Sequence, residues 1–195
     1  MVHPKARMTI IDPRPIGGVR PARWGFLEGS SLACGLCPHH CVIAEGRLGR
    51  CRARGVVDDE LVTFNYGRVR AQVVDQIEKK PIYHYRPGTK LLSIGTFGCN
   101  LDCDCCQNAA LASSGPEGGG GTETRPEEIV TFAAEKGVQG IAFTFNEPVV
   151  WSEFILDVAK PAKERGLYLM MNSNGYVEEG PLGELLAAVD VLKVD

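Results

Sequence analysis

The dominant feature of this sequence is the placement of its eight cysteines in two short groups. The first group is Cys34, Cys37, Cys41 and Cys51, and the second group is Cys99, Cys103, Cys105 and Cys106. Disulfide frameworks usually join distant loops, whereas the ligands of a metal must converge on one ion or cluster. We therefore predict two metal sites rather than disulfides, in the reducing environment of the cytoplasm.

The composition excludes several classes of protein. The 195 residues include 21 Lys or Arg and 24 Asp or Glu, so the formal charge is −3 and a nucleic-acid binder that relies on bulk positive charge is not expected. No run approaches the roughly 20 apolar residues of a membrane-spanning helix, and the N-terminal residues lack the apolar core of a signal peptide. We expect neither a nucleic acid nor a membrane as a partner.

Buried strands and helices alternate from residue 91 onward. The pattern predicts strands at 91–97, 141–145, 167–171 and 191–194, separated by helices that begin near residues 126, 149 and 182. Such alternation is typical of a parallel sheet built from right-handed βαβ units. We predict an α/β fold, a partial TIM-type (β/α) barrel with only about four of the roughly eight strands of a closed barrel. On this interpretation the chain is truncated at its C-terminus, and a complementing chain could complete the domain.

The same patterns divide the chain into three segments. Residues 1–60 comprise an extended N-terminal arm, over about the first 30 residues, and a four-cysteine metal knuckle. Residues 61–90 form a connecting segment with short β-prone runs, and residues 91–195 form the incomplete (β/α) domain.

Polar residues follow each predicted strand of the (β/α) domain. They are Cys99 to Gln107 after the first strand, Asn146 and Glu147 after the second, Asn172 to Asn174 after the third, and Asp195 after the fourth. Ligands of parallel sheets gather at the carboxyl ends of the strands. The sequence therefore predicts a binding site at this end of the sheet.

The second cysteine group contains the spacing Cys99-x3-Cys103-x2-Cys106. A cubane [4Fe–4S] cluster held by three thiolates has one iron without a protein ligand, and that iron can bind a substrate. A structural zinc ion would usually recruit a fourth ligand. Cys105 is interpreted as a small buried residue rather than a ligand, because only Cys106 keeps the spacing.

A Cys-x3-Cys-x2-Cys motif after the first strand is the signature of radical S-adenosylmethionine (SAM) enzymes, which this chain resembles. The surrounding sequence is similar to that of the radical SAM member of the AmmeMemoRadiSam system, a relative of pyruvate formate-lyase activating enzymes. The motifs that carry this similarity are Cys34-x2-Cys37-Pro-His-x-Cys41, Gly46-x2-Gly49-x-Cys51, Ile77-Glu-Lys-Lys-Pro-Ile-Tyr-His84, Ser93-Ile-Gly-Thr-Phe-Gly-Cys-Asn100 and Phe145-Asn-Glu-Pro148.

The resemblance implies a [4Fe–4S] cluster on Cys99, Cys103 and Cys106, with SAM bound at the open iron. It further implies reductive cleavage of SAM to methionine and a 5′-deoxyadenosyl radical, which abstracts hydrogen from an unidentified substrate such as a partner protein. An electron donor such as flavodoxin or ferredoxin is expected. The SAM contacts that it implies are Cys105, Gln107, Asn146, Glu147, Asn172, Ser173, Asn174 and Asp195. Cys105 departs from the family pattern, which usually has an aromatic residue there.

The first cysteine group supplies four thiolates, enough for a closed tetrahedral zinc site or for a second [4Fe–4S] cluster. His39 or His40 could replace one sulfur, and nearby arginines offset the negative charge of the thiolates. The spacing does not choose between the metals, and we favour a structural knuckle. The alternative to a radical SAM enzyme is a catalytically incompetent fragment that binds iron–sulfur or zinc.

Overall fold

The structure, a computed structural model, describes residues 19–118 and 120–195. The first 18 residues of the predicted arm lie outside this part of the chain. The strands of the described part are β1 (Arg20–Pro21), β2 (Gly25–Glu28), β3 (Ser31–Cys34), β4 (Val42–Ile43), β5 (Arg54–Val57), β6 (Glu60–Thr63), β7 (Arg68–Val69), β8 (Ala71–Gln76), β9 (Lys90–Gly95), β10 (Thr122–Glu123), β11 (Gly140–Phe143), β12 (Tyr168–Ser173) and β13 (Val191–Val194). The α helices there are α1 (Ala109–Ala112), α2 (Pro126–Glu135), α3 (Ser152–Glu164) and α4 (Glu179–Ala188).

The central sheet has five strands in the order β13, β12, β11, β9, β8. The first four of these run parallel to one another, which confirms the predicted α/β fold with a mostly parallel sheet. β8 pairs antiparallel with β9, so part of the predicted connecting segment belongs to this sheet. The described residues form an open sheet and not a closed barrel.

Both faces of the sheet are covered, as continuous apolar strands require. On one face, Ile94 and Phe143 pack with the buried sides of helices α2 and α3. There Trp151 stacks on Phe154, with ring centroids 4.8 Å apart. On the other face, Leu91 and other apolar strand residues pack against Ile77 and its neighbours in the segment between β8 and β9. The sheet is therefore a rigid base for the loops at its carboxyl end.

The cysteine-rich N-terminal part forms two small antiparallel sheets, β2-β3-β4 and β1-β6-β5. It docks on the segment that leads into helix α3. The buried guanidinium of Arg54 pairs with the carboxylate of Glu153, and the indole N–H of Trp151 donates to the Asn65 carbonyl at 2.7 Å. These contacts bring the first cysteine group to the flank of the central sheet.

Within the described ranges, every helix is too short or too polar to cross a membrane.

Gly95 at the end of β9 allows a close approach of two strands. A Cβ atom there would lie 2.6 Å from the Thr144 carbonyl oxygen, so we expect Gly95→Ala to lower the free energy of unfolding by roughly 1–3 kcal/mol. Gly183 in α4 is the matched control, since a Cβ there meets nothing within 4 Å. Gly183→Ala should raise the free energy of unfolding by about 0.5–1 kcal/mol because it removes helix-disfavouring backbone entropy. Chemical denaturation measures the free energy of unfolding of both variants. Equal changes in the two variants would contradict the close contact between Gly95 and the Thr144 carbonyl.

Candidate functional site

A cleft of about 650 Å³ opens at the carboxyl ends of β9, β11, β12 and β13. Most of the residues predicted for the site line it: Cys99, Cys103, Cys106, Gln107, Asn146, Glu147, Asn172, Ser173, Asn174 and Asp195. Cys105 is not among the lining residues, and it is exposed to solvent. The prediction that it is buried is therefore wrong, because residues 102–105 of the loop all lie at the surface. The structure thus brings together the three spaced cysteines and the strand-end polar groups, and it leaves Cys105 outside.

The three-cysteine loop, formed by Cys99, Cys103 and Cys106, follows a sharp turn at Gly98. Gly98 has a φ of +89°, which favours glycine, and a Cβ atom there would lie 2.4 Å from the Cys51 carbonyl oxygen. Burial raises the pKa of the Cys99 thiol, and the negative charge of Glu147 raises it further. Without a metal this thiol therefore favours its protonated form, and binding a metal would release its proton.

Glu147 holds the ends of two strands together. Its carboxylate accepts hydrogen bonds from the backbone N–H of Val149 at 2.9 Å, the hydroxyl of Ser173 at 2.7 Å and the backbone N–H of Asn174 at 2.8 Å. Burial raises the pKa of the Glu147 carboxyl, while these three donors act to lower it. A carboxylate offers about four acceptor positions, so one remains for a ligand in the cleft.

Asn146 ties the second strand end to the first. Its Oδ1 accepts from the backbone N–H of Thr96 at 2.9 Å, and its Nδ2 donates to the Gly98 carbonyl at 2.9 Å. Because Gly98 precedes the three-cysteine loop, this amide positions the loop relative to β11.

The far side of the cleft is formed by the ends of β12 and β13. Asn172 donates from Nδ2 to the carboxylate of Asp195, which also pairs with Lys193. The Oδ1 atom of Asn172 is buried and has no hydrogen-bond partner among the described residues. An acceptor in that state costs free energy unless a ligand donates to it.

The opposite wall contains residues that the sequence analysis did not assign to the site. Lys80 is buried and pairs with Asp75 at 2.6 Å, and Asp75 also accepts from the hydroxyl of Ser93 at 2.7 Å. Phe145 has a φ of +73°, a strained conformation for an aromatic residue. Strain of this kind concentrates at ligand sites. No pattern in the sequence predicts a positive φ at a phenylalanine.

The four-cysteine site, formed by Cys34, Cys37, Cys41 and Cys51, lines a second cavity of about 10 Å³. His39 also lines this cavity, and its Nε2–H donates to the Asn100 carbonyl at 2.8 Å. His40 instead pairs with the Glu178 carboxylate at 2.8 Å. Burial raises the pKa of the Cys37 thiol and raises that of Cys51 to about 12.

The donor chemistry of both groups fits iron–sulfur or zinc binding, since all eight cysteines are free thiols. In residues 19–118 and 120–195, no three His, Cys, Asp or Glu side chains stand close enough together to hold a single metal ion. A cluster has a different requirement, because each thiolate binds a different iron. At the cleft, the orphaned Oδ1 of Asn172 and the open position on Glu147 fit a polar ligand beside the three thiols.

This chain is similar in sequence to several known proteins. The family model of the Radical SAM superfamily matches residues 93–195, just over half of the chain. An uncharacterized protein of Methanocaldococcus jannaschii is 38% identical over 169 residues, which cover 87% of this chain and 50% of that protein. The 7-carboxy-7-deazaguanine synthase of Rhodopirellula baltica is 30% identical over 51% of this chain and 37% of its own length.

The pyruvate formate-lyase-activating enzyme of Clostridium pasteurianum is 27% identical over 50% of this chain and 42% of its own length. The chain therefore spans half or less of the length of each of these three relatives.

Replacing Glu147 by glutamine should loosen the strand ends. One carboxylate oxygen becomes an NH₂ group, which faces either the Asn174 N–H or the Val149 N–H and leaves that donor unpaired. A buried unpaired donor costs roughly 1–3 kcal/mol, so we expect the exchange rate of that amide hydrogen to rise about tenfold or more. Glu164→Gln, at an exposed position, is the control. Unchanged exchange at both amides in Glu147→Gln would contradict the assigned bonds.

Proposed function

Because the chain belongs to the radical SAM superfamily, we propose that it reductively cleaves SAM at a [4Fe–4S] cluster in the cleft described above. The observation that carries the proposal is the convergence of two separate features. Three thiols with the superfamily spacing and the polar ends of three neighbouring strands line one cavity, although Cys99 and Asp195 are 96 residues apart in sequence.

The residues that line the cleft divide into cluster ligands and SAM contacts. Cys99, Cys103 and Cys106 would hold the cluster, and the polar strand ends would bind SAM. With both groups bound, the chemistry supplied is one-electron cleavage of SAM to methionine and a 5′-deoxyadenosyl radical, which abstracts hydrogen from a substrate.

The chain's own contribution is orientation. Glu147 fixes the ends of β11 and β12 through three hydrogen bonds and keeps one acceptor position toward the cleft. A protonated amino group of SAM would find there the only buried carboxylate among the described cleft residues. Asn172 presents its unpaired Oδ1, which suits a hydroxyl or amino donor. Apolar packing beneath the strands limits the access of water from below.

The environment of the reaction is also part of the proposal. Eight free thiols suit a reducing cytoplasm. A one-electron donor of the flavodoxin or ferredoxin class would reduce the cluster, and a partner protein is the proposed substrate by similarity to the pyruvate formate-lyase-activating enzyme. A complementing chain and the closer AmmeMemoRadiSam relationship remain predictions from the sequence. A metal at the four-cysteine site, zinc or a second cluster, likewise remains a prediction from the sequence.

The test is SAM cleavage by the purified chain, reconstituted without oxygen with iron and sulfide and reduced with dithionite. We expect 5′-deoxyadenosine from the wild type, with at least about four irons per chain at the two cysteine groups combined. Cys99→Ala should lose iron and reduce nucleoside formation to the background of the assay, because Cys99 is a proposed ligand.

The control for this experiment is Cys105→Ala, a change in the same loop at a side chain outside the cleft. It should keep the iron content of the wild type. If Cys105→Ala loses as much iron as Cys99→Ala, the ligand assignment is wrong. A folded wild type that binds zinc and forms no nucleoside would support the alternative of an incompetent metal-binding fragment.

A further inference from the structure

The first part of the three-cysteine loop has few backbone contacts of its own. Among the described residues, the backbone groups of residues 99–102 make no hydrogen bond to another backbone group. The carbonyl of Gly98, just before them, is held by the side chain of Asn146 at 2.9 Å. The position of Cys99 and of the peptide that follows it therefore depends on hydrogen bonds that involve side chains.

One peptide unit of this loop has a hydrogen-bond partner at each end. The carbonyl of Asn100 accepts from His39 Nε2–H at 2.8 Å. The N–H of Leu101 donates to Cys99 Sγ, with 3.4 Å between nitrogen and sulfur. This carbonyl and this N–H belong to the same planar peptide, whose two ends cannot turn independently. The hydrogen bond from His39 therefore determines the direction in which the Leu101 N–H points.

The ring of His39 is itself held in place. It packs against the ring of Tyr176, with centroids 4.9 Å apart, and the Tyr176 carbonyl accepts from Asn100 Nδ2 at 2.7 Å. Asn100 is 1% exposed, so the peptide that His39 contacts is shielded from water. In such surroundings hydrogen bonds are stronger than in water, and a donor on a carbonyl polarises the N–H at the other end of the peptide. His39 can thus strengthen the bond from Leu101 to sulfur as well as direct it.

The adjacent histidine has different contacts. His40 Nε2 lies 2.8 Å from the Glu178 carboxylate, and about half of the His40 side chain is exposed. Its ring makes an edge contact with Phe26. Both histidines lie in the first cysteine group, and His39 is the one that hydrogen-bonds to the three-cysteine loop.

We propose that His39 is a positioning residue for the three-cysteine loop, which aims the Leu101 N–H at the Cys99 sulfur and so raises the reduction potential of the cluster. The inference rests on the proposed function for the presence of that cluster. On reduction the cluster gains one electron from an outside donor such as dithionite, and with it one negative charge. An N–H directed at a ligand sulfur stabilises this charge, and hydrogen bonds to the sulfurs are among the factors that set the potential.

Two substitutions separate the N–H of His39 from its ring. His39→Gln keeps an N–H donor on a side chain of similar reach, whereas His39→Phe keeps a ring beside Tyr176 and has no donor. In the metal-free, reduced chain, we expect the Leu101 amide to exchange its hydrogen at least about threefold faster in His39→Phe than in the wild type. His39→Gln should stay close to the wild type. Equal exchange in all three proteins, measured by nuclear magnetic resonance, overturns the assigned direction of the peptide.

The reduction potential is measured after anaerobic reconstitution with iron and sulfide. The electron paramagnetic resonance signal that changes on addition of SAM identifies the cluster of the three-cysteine loop. His39→Phe should shift its reduction equilibrium about tenfold toward the oxidised state, a fall of about 59 mV for a one-electron couple. His39→Gln should lie close to the wild type, and His40→Phe, the matched control, should equal it. An unchanged potential in His39→Phe, or an equal fall in His39→Gln, overturns the proposal.

The metal content distinguishes positioning from ligation. Both His39 variants should bind as much iron and zinc as the wild type, because neither substitution removes a proposed ligand. An equal loss of metal from both would make His39 a ligand and overturn the positioning role.

The same experiments separate this inference from the proposed function. A wild type that forms 5′-deoxyadenosine while His39→Phe keeps the wild-type potential overturns the inference alone. A folded wild type that binds no cluster overturns the proposed function and the effect on the potential together. The exchange of the Leu101 amide still tests the direction of the peptide in that case.

Discussion

One buried carboxylate determines the shape of the cleft. Glu147, in the segment that follows β11, accepts hydrogen bonds from Val149 of that segment and from Ser173 and Asn174 at the end of the neighbouring strand β12. Parallel strands bring their carboxyl ends to one edge of the sheet. The side chains and loops at that edge need further contacts that hold them in place. A charged acceptor makes stronger hydrogen bonds than a neutral one, which suits this task. The burial that makes the carboxylate costly to ionise is offset by its three donors.

A second buried charge, on Glu153, connects the cysteine-rich part to the sheet. Its Oε1 accepts from the Arg54 guanidinium and from the backbone N–H of Arg23 at 2.8 Å, and Arg54 also donates to the Arg23 carbonyl at 2.9 Å. Buried ion pairs contribute little net stability, yet loss of one partner is costly because the other charge stays buried. The pair therefore determines the position at which the N-terminal part docks, and it adds little to the free energy of docking. That docking places the four-cysteine site beside the three-cysteine loop.

The sequence predicted what is encoded locally. The four parallel strands follow from continuous apolar runs such as that ending at Ile94, and the cleft follows from the polar residues after each run. The place of β8 in the sheet could not be predicted, because its residues are mostly exposed and its pairing with β9 is a contact between distant segments. The Arg54–Glu153 pair joins residues 99 positions apart, and no local pattern of residues indicates a contact over that separation. The strained backbone of Phe145 likewise depends on its tertiary surroundings.

The depth of Cys51 has a consequence for biogenesis. In the folded chain this thiol is 8% exposed, and burial raises its pKa to about 12, so at neutral pH it retains its proton. A metal can bind only after that proton leaves and a route from solvent opens. Both conditions are met more easily before the N-terminal part closes onto helix α3. We therefore expect any metal at this predicted site to enter before docking is complete, after which docking would seal it against release.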